Sequence, residues 1–369
     1  MDLIVLNEDL DAVSVIDSYS SLIWTDRYHS YGDFQFYTAA TPEMVDMLKQ
    51  DYYIMCRESE HTMIVEKILI KTDSEEGNML YISGRSLESI LDRRIIWGQK
   101  TITGNLQNGI RTLLNECIIS QTDSSRVIPN FVFEESVDAT VVAFTVDAQY
   151  TGDNLYDVIQ KLCAEAGIGF RILLNDNKQF VFSLYNGVDR SYKSSLSDNP
   201  EVPYVIFSPN FDNIINSNYI ESKMPMKNIA LVGGTGIGTE RKYHTTDTSS
   251  NTGLHRRELF VDARDVSDKD DDGNEYTETE YNAKLEQRGK EYLEENKEII
   301  SFEGKVETTI MFKYGEDFFI GDIIQIANEY GHETESRISE IVISDDSEGF
   351  SIYPTFTSTK NSTTADNSE

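Results

Sequence analysis

Cysteine, proline and positive charge are all scarce in this chain. Its 369 residues include three cysteines, seven prolines and two tryptophans, and 32 lysines and arginines stand against 64 acids, a formal net charge of −32. Such a surface repels nucleic acid and anionic lipid, which excludes duplex DNA and a membrane surface as stable direct partners. Cys56, Cys117 and Cys163 lie far apart in apolar contexts without metal spacing, so they read as buried thiols of a reduced compartment. No run approaches about 18 apolar residues, so no membrane anchor is expected. The opening Met-Asp-Leu-Ile-Val-Leu-Asn-Glu carries acid where a signal peptide needs base, and synthesis in a cytoplasm follows as the expectation. Catalytic signatures are missing too. His29, His61, His244, His255 and His332 stand in polar, turn-like contexts, and neither Gly-x-Ser-x-Gly nor His-Glu-x-x-His occurs. The expectation is no catalytic, cofactor-binding or metal-site residues, no cofactor, and no enzyme.

What is present is β-rich. The chain exceeds the roughly 250 to 300 residues at which one core stops growing, so more than one domain is expected. With 39% apolar residues, 17 Phe and 20 Tyr, it has the composition of a folded protein. Short strand-like runs fill the first hundred residues: Leu3 to Leu6, Val13 to Ile16, Leu22 to Trp24, Phe34 to Tyr37, Tyr53 to Cys56, Met63 to Lys71 and Met79 to Ser83. Thr41-Pro42-Glu43 caps one helix among them, and Ser86 is the expected cap of a short helix carrying Leu87, Ile90 and Leu91 inward. The middle third changes period. Asn105 and Asp153 read as caps of two amphipathic helices, the second ending at Gly167, and Asn175 to Lys178 turn a hairpin between Phe170–Leu174 and Phe180–Leu184.

Strand character returns from Val205, interrupted by one long helix over about 278–296 with Tyr281, Leu285, Arg288 or Gly289, and Tyr292 along one side. Residues 262–300 hold 14 acids and 6 bases, and the helix's charged face reads as solvated. From Val306 to Ile326, Ile310, Phe312 and Tyr314, then Ile320, Ile324 and Ile326, alternate about a short acidic turn and predict a β-hairpin, with Gly321 at a strand entry too tight for a side chain. The fold class is thus β-rich α+β: two β-barrel-like domains, 1–98 and 201–357, a small α+β insertion at 99–200, one long helix, and a disordered tail at 358–369.

Two motifs resemble sites. Asn228 to Gly238 is a strand entering a glycine cluster, as a dinucleotide-binding turn begins, but no apolar helical stripe follows to carry a pyrophosphate. A glycine-rich hairpin or bulge is the favoured reading. Asp268, Asp270, Asp272 and Gly273 match positions 1, 3, 5 and 6 of a calcium-binding EF-hand loop. Position 12 falls on Thr279, between Glu278 and Glu280, and a strand-like segment stands where the incoming helix belongs. An acidic loop capping the next helix is favoured over a calcium site.

The order of several segments resembles the hub (baseplate hub, tail-associated) proteins at the tip of long-tailed bacteriophages and related injection machines. The pieces are Tyr31-Gly-Asp-Phe-Gln-Phe36, Gly84 to Arg94, Gly167-Ile-Gly-Phe-Arg171, Tyr185 to Ser191, Phe207 to Asn213, Ala230 to Gly236, Arg257 to Asp265, and Tyr314 to Asp322. The resemblance implies a virion tail-tip protein forming a homotrimeric ring, whose two barrel-like domains per chain give near-sixfold symmetry. It implies as partners a distal tail protein ring, the tape-measure protein, and a spike or receptor-binding protein. Negative charge then has a use, since an acidic lumen lets DNA slide through without sticking. An acidic cell-wall hydrolase and a calcium-dependent surface adhesin are the competing readings.

Overall fold

The computed structural model describes all residues except 74–76, 193, 195–201, 271–272, 307–310, 331–332 and 359–369. The tail expected at 358–369 lies almost wholly outside the described residues. The first segment contains β1 (Leu3–Leu6), β2 (Ala12–Ile16), β3 (Ser21–Arg27), β4 (Asp33–Ala39), α1 (Pro42–Met47), β5 (Tyr53–Met55), β6 (Met63–Asp73) and β7 (Gly77–Ser86). Period-two burial makes these strands: in β4, Phe34, Phe36 and Thr38 turn inward while Gln35 faces out. Thr41 accepts a hydrogen bond from the Met44 amide and Pro42 opens α1, as expected. Ser86 does not cap the 3-10 turn Leu87–Arg93, because its hydroxyl is drawn into a buried charge cluster.

The middle segment holds β8 (Gln99–Asn105), α2 (Leu106–Leu114), β9 (Phe131–Glu134), α3 (Ala139–Ala143), β10 (Thr145–Thr151), α4 (Leu155–Ala166), β11 (Gly169–Leu174) and β12 (Phe180–Tyr185). Asn105 caps α2, and Gly167 ends α4 in the left-handed region at φ 66°. The cap of α4 is Asn154, which accepts from the Tyr156 and Asp157 amides; Asp153 is turned back onto the Thr151 amide. The apolar core of this segment, in which Leu113, Ile159, Phe170 and Phe182 are fully buried, also takes in Ile64, Leu87, Ile90, Leu91 and Ile96 of the first segment.

The last segment contains β13 (Ile206–Phe207), β14 (Ile214–Ser222), β15 (Ile229–Gly233), β16 (Tyr243–Asp247), β17 (Glu258–Asp262), α5 (Glu278–Glu295), β18 (Ile299–Val306), β19 (Ile323–Ala327), β20 (Glu333–Asp346) and β21 (Gly349–Ser358). First and last segments share one 13-stranded sheet in the order β14-β18-β21-β20-β3-β4-β7-β6-β5-β1-β2, with β13 and β19 attached at β20. The seam is β20 against β3, antiparallel with Ile343 opposite Trp24. Beneath it lies a single apolar core built from both segments, including Trp24, Phe34 and Phe36 from one and Phe207, Phe318 and Phe356 from the other. The protein is β-rich with few helices; among the described residues the pairing runs as an open sheet and does not close into two separate barrels.

Residues 307–310 of the hairpin expected over 306–326 lie outside the described residues, and among the described ones β18 and β19 do not pair with each other. Ile320, Ile324 and Ile326 are buried, and Phe312 and Tyr314 pack against the same core, so the inward faces are as read. Backbone partners differ: β18 pairs with β14 and β21, and β19 with β13 and β20. Ile310 lies outside the described residues. Alternation determines which side chains are buried and leaves the choice of partner strand to long-range packing.

A third, smaller core lies between α5 and the sheet β16-β15-β17. Thr277 and Glu280 form a reciprocal capping box at the start of α5. Its charged face is not simply solvated. Lys284 reaches Asp147 at 2.6 Å, the buried Glu291 accepts from Tyr150 at 2.5 Å, and Arg288 donates to the Gln149 carbonyl and to Asp265. One face of α5 thus packs apolar side chains on its own sheet while the other docks on the middle segment through ion pairs. Gly289 sits at the apolar contact, where a Cβ would stand 2.1 Å from Thr246 Oγ1 and 2.7 Å from its Cβ. Gly289→Leu is expected to lower stability by about 1–3 kcal/mol through overpacking, read as a reduced urea midpoint with earlier proteolysis within 262–300.

Candidate functional site at a three-segment junction

Tyr28 follows β3 directly, and its ring is fully buried where all three segments converge. The space it fills is made by glycine. A Cβ on Gly169 or Gly321 would come within 2.3 or 2.4 Å of Tyr28 Cε2, and one on Gly187 would meet the Gly321 carbonyl oxygen at 1.8 Å. Gly321 also holds φ +91°, so it is required both for space and for backbone conformation. It stands two residues before β19, at the strand entry where the sequence places it.

Polar groups lock this packing. The Tyr28 hydroxyl lies 3.2 Å from the Gly167 carbonyl and 3.3 Å from that of Tyr185. Arg337, on β20, donates from Nη1 to Tyr28 Oη at 3.2 Å and to the Gly321 carbonyl at 2.6 Å, with its guanidinium 4.9 Å from the Tyr28 ring centroid. Next to it the buried Asp322 carboxylate accepts from the Val188 amide at 2.7 Å, Arg190 Nε at 2.6 Å and the Phe319 amide at 3.0 Å. One side chain therefore ties the end of the middle segment to the start of β19.

A second cluster joins the first segment to β11. Glu88, 1% exposed, accepts from the Ile172 amide at 2.8 Å and from the Ser86 hydroxyl, and lies 3.2 Å from His61 Nδ1. Asp26, equally buried, accepts from Trp24 Nε1 at 3.0 Å and Ser59 Oγ at 2.7 Å. Burial opposes a charge on His61, yet the Asp26 and Glu88 carboxylates hold its ring protonated up to about 9. Burial alone would raise Glu88 as well; the His61 charge and the hydrogen bonds from His61, Ser86 and Ile172 pull it below the usual carboxylate range. Asp26 stays above its ordinary value because burial outweighs its partners.

A cleft of about 530 Å³ opens at this junction, lined by Glu58, Ser59, Arg171, Tyr185, Tyr314 and Phe319 among others. Ser59 is not set up as a nucleophile. Its hydroxyl is given to Asp26, and the His61 ring faces Glu88. Arg171 pairs with Glu60 at 2.5 Å and stacks on Tyr185.

The histidines are more dispersed in role than the sequence suggests. His61 is buried, against the polar, turn-like context expected; His29 has Nδ1 3.1 Å from the Ile168 carbonyl; His244 Nε2 meets Glu286 at 2.7 Å; and His332 lies outside the described residues. Cys56, Cys117 and Cys163 are free and buried, as expected. Among the described residues no three His, Cys, Asp or Glu side chains gather as a metal site. The glycine cluster is a hairpin: β15 and β16 pair antiparallel, and Gly234 packs so close to Tyr281 that a Cβ would be 2.2 Å from its hydroxyl. In the acidic loop, Asp268 is taken by Lys242 at 3.1 Å and Asp270 accepts from the Asn274 amide, while Asp271 and Asp272 lie outside the described residues. With Asp268 so engaged, titration with millimolar calcium is expected to give no binding heat in a calorimeter. No described helix is long and apolar enough to cross a membrane.

A family model described as siphovirus ReqiPepy6 Gp37-like protein matches residues 2–356. The chain belongs to this siphovirus family. Three solved structures share the fold of this family member. The prophage MuSo2 43 kDa tail protein from Shewanella oneidensis matches with TM-score 0.56 and 12% identity, over 96% of this chain and 98% of that one. The tail protein from Neisseria meningitidis MC58 gives 0.54 and 10%, over 97% and 96%. Prophage tail protein gp18 from Listeria monocytogenes EGD-e gives 0.53 and 14%, over 98% and 96%. No curated protein matches the sequence. The phage tail-hub resemblance carried by the ordered sequence pieces is in keeping with these matches: the chain belongs to a siphovirus family and shares the fold of three tail proteins.

Proposed function

We propose that this protein is the hub subunit of a phage tail tip: a homotrimeric ring that adapts a hexameric tail to a spike or receptor-binding protein. The observation that carries the reading is the joining of the first and last segments in one sheet over one core, with the tail-protein fold extending along nearly the whole chain. In this reading residues 1–98 and 201–357 supply two similar faces per chain, so that three chains offer six. The insertion at 99–200 projects from that ring, packed on the first segment through Ile64, Leu87, Ile90, Leu91 and Ile96. A closed cyclic assembly is the stable outcome for such subunits. The Tyr28 clasp sets the angle between the two faces, since its glycines and Arg337 leave no room for one segment to shift against the other.

Its partners are a distal tail protein ring, the tape-measure protein and the spike, and its work is shape, with no catalytic step. The ring contributes to the DNA exit channel, and an acidic lumen keeps the passing DNA unbound. Light scattering tests the assembly directly. A particle of three times the 42.0 kDa chain mass is expected; a monomer at high protein concentration, or a basic lumen in a map of the ring, overturns the reading.

A further inference from the structure

The main sheet ends at β2, which pairs with β1 and with no other described strand. Natural sheets protect such edges with lysine, proline, a bulge or a covering element. β2 has one such device, a bulge against β1 that skips Val13 between Ala12 and Ser14, but no lysine or proline: its sequence is Ala-Val-Ser-Val-Ile, with Val13 and Val15 51% and 58% exposed. Beside it runs an open groove of about 520 Å³, lined by Val13, Ser14, Glu43, Asp46, Met47 and Tyr52, between the strand and α1. The setting is acidic throughout. No lysine or arginine precedes Arg27, and Glu43 and Asp46 form the groove's rim. The bases that approach are Lys178, bound to Asp11, and Lys49, over the Tyr52 ring.

We propose that the β2 edge with its α1 groove is a docking site for an extended segment of another protein in which basic and apolar residues alternate. The backbone of that segment continues the sheet. Because side chains alternate across a strand, one row of the segment would lie over the exposed Val15, and the other would face the groove of Val13, Ser14, Met47 and the two acids. Apolar residues suit the first row and lysine or arginine the second. A second copy of this chain is a poor occupant. The opposite edge of the sheet, β14, carries no base between Ile214 and Ser222 and brings Glu221 instead. The proposal does not depend on the hub reading, since it concerns one edge of one chain.

Hydrogen–deuterium exchange on the full chain, with an end-blocked octapeptide alternating lysine and valine as the probe, tests it. Amides 12–16 are expected to slow at least tenfold. The Val13→Lys/Val15→Lys variant should lose that protection, and Glu43→Gln/Asp46→Gln should weaken peptide binding at least tenfold. If the lysine variant fails to fold, the glutamine pair carries the test. Three results overturn the proposal: no protection at millimolar peptide; equal binding of a same-charge peptide interrupted by proline, which marks mere charge attraction; or protection of amides 12–16 that rises with protein concentration alone, which makes a second copy the occupant.

Discussion

Replacing Gly321 with valine is expected to remove a large part of the protein's stability. Two independent costs coincide at this position. The backbone holds φ +91°, where a β-branched residue is a strong outlier, and such strain costs of order 1–3 kcal/mol. The new Cβ would also stand 2.4 Å from the Tyr28 ring, and forcing bulk into a packed site typically costs another ~1–3 kcal/mol. Tyr28 cannot give way, because Gly169 closes its ring in from another side and Arg337 binds its hydroxyl. Displacing the Gly321 carbonyl would further break its 2.6 Å bond from Arg337. Against the 5–15 kcal/mol that folded proteins typically hold in total, a combined loss of about 2–6 kcal/mol is a large fraction. Gly315 provides the control. It has φ +81° with nothing within 4 Å of its Cβ position, so Gly315→Val should show the strain alone. Urea unfolding of the two variants beside the native chain checks this: a large drop for Gly321→Val and a small one for Gly315→Val is expected. Equal small drops would mean that the Tyr28 contact is not as tight as described.

That glycine is legible in the sequence because a Gly-Asp step at the head of an apolar alternation marks a backbone kink where a strand begins. Much of the rest divides along the same physical line. Short-range chemistry is readable: the Thr41 and Asn105 caps, the Gly167 terminus and the Asn175–Lys178 turn each depend on residues within a few positions. Where two neighbours offer the same acceptor, as Asp153 and Asn154 do, sequence has no means of choosing. Long-range choices are hidden. β16 reads Tyr-His-Thr-Thr-Asp, too polar for a strand signal, and is one because β15 supplies the pairing and α5 covers Thr246. The shared sheet of first and last segments rests on β20 finding β3, more than three hundred residues away, which no local pattern encodes. The junction is hidden for the same reason. Ser86, His61 and Glu88 look like surface residues of a turn-rich chain until β11 arrives with the Ile172 amide.

The cluster around Glu88 makes stability depend on pH in a defined direction. His61 is raised in the fold from 6.5 to about 9, so its contribution is fully present below pH 6.5 and is lost as pH rises through 9. A shift of that size corresponds to about 3 kcal/mol. Asp26, also raised by burial, gives the same sign, since the folded state holds its proton more tightly than the unfolded chain does. Glu88 is lowered, so its contribution is present above the usual glutamate value and is lost only in acid. The urea midpoint should therefore be highest in mildly acidic solution and fall between pH 6.5 and 9. Glu88→Gln keeps the shape but removes the charge, leaving the buried His61 ring with Asp26 alone and setting an amide group among donors. Breaking one partner of a buried pair costs about 3–5 kcal/mol, so the variant should be strongly destabilised at pH 6. It should also lose much of the slope, because His61 would then release its proton earlier. The two effects separate the electrostatic account from simple mispacking, which would lower stability equally at every pH. Measured midpoints for both proteins from pH 5 to 10 decide between them: parallel curves would show that Glu88 acts through shape alone.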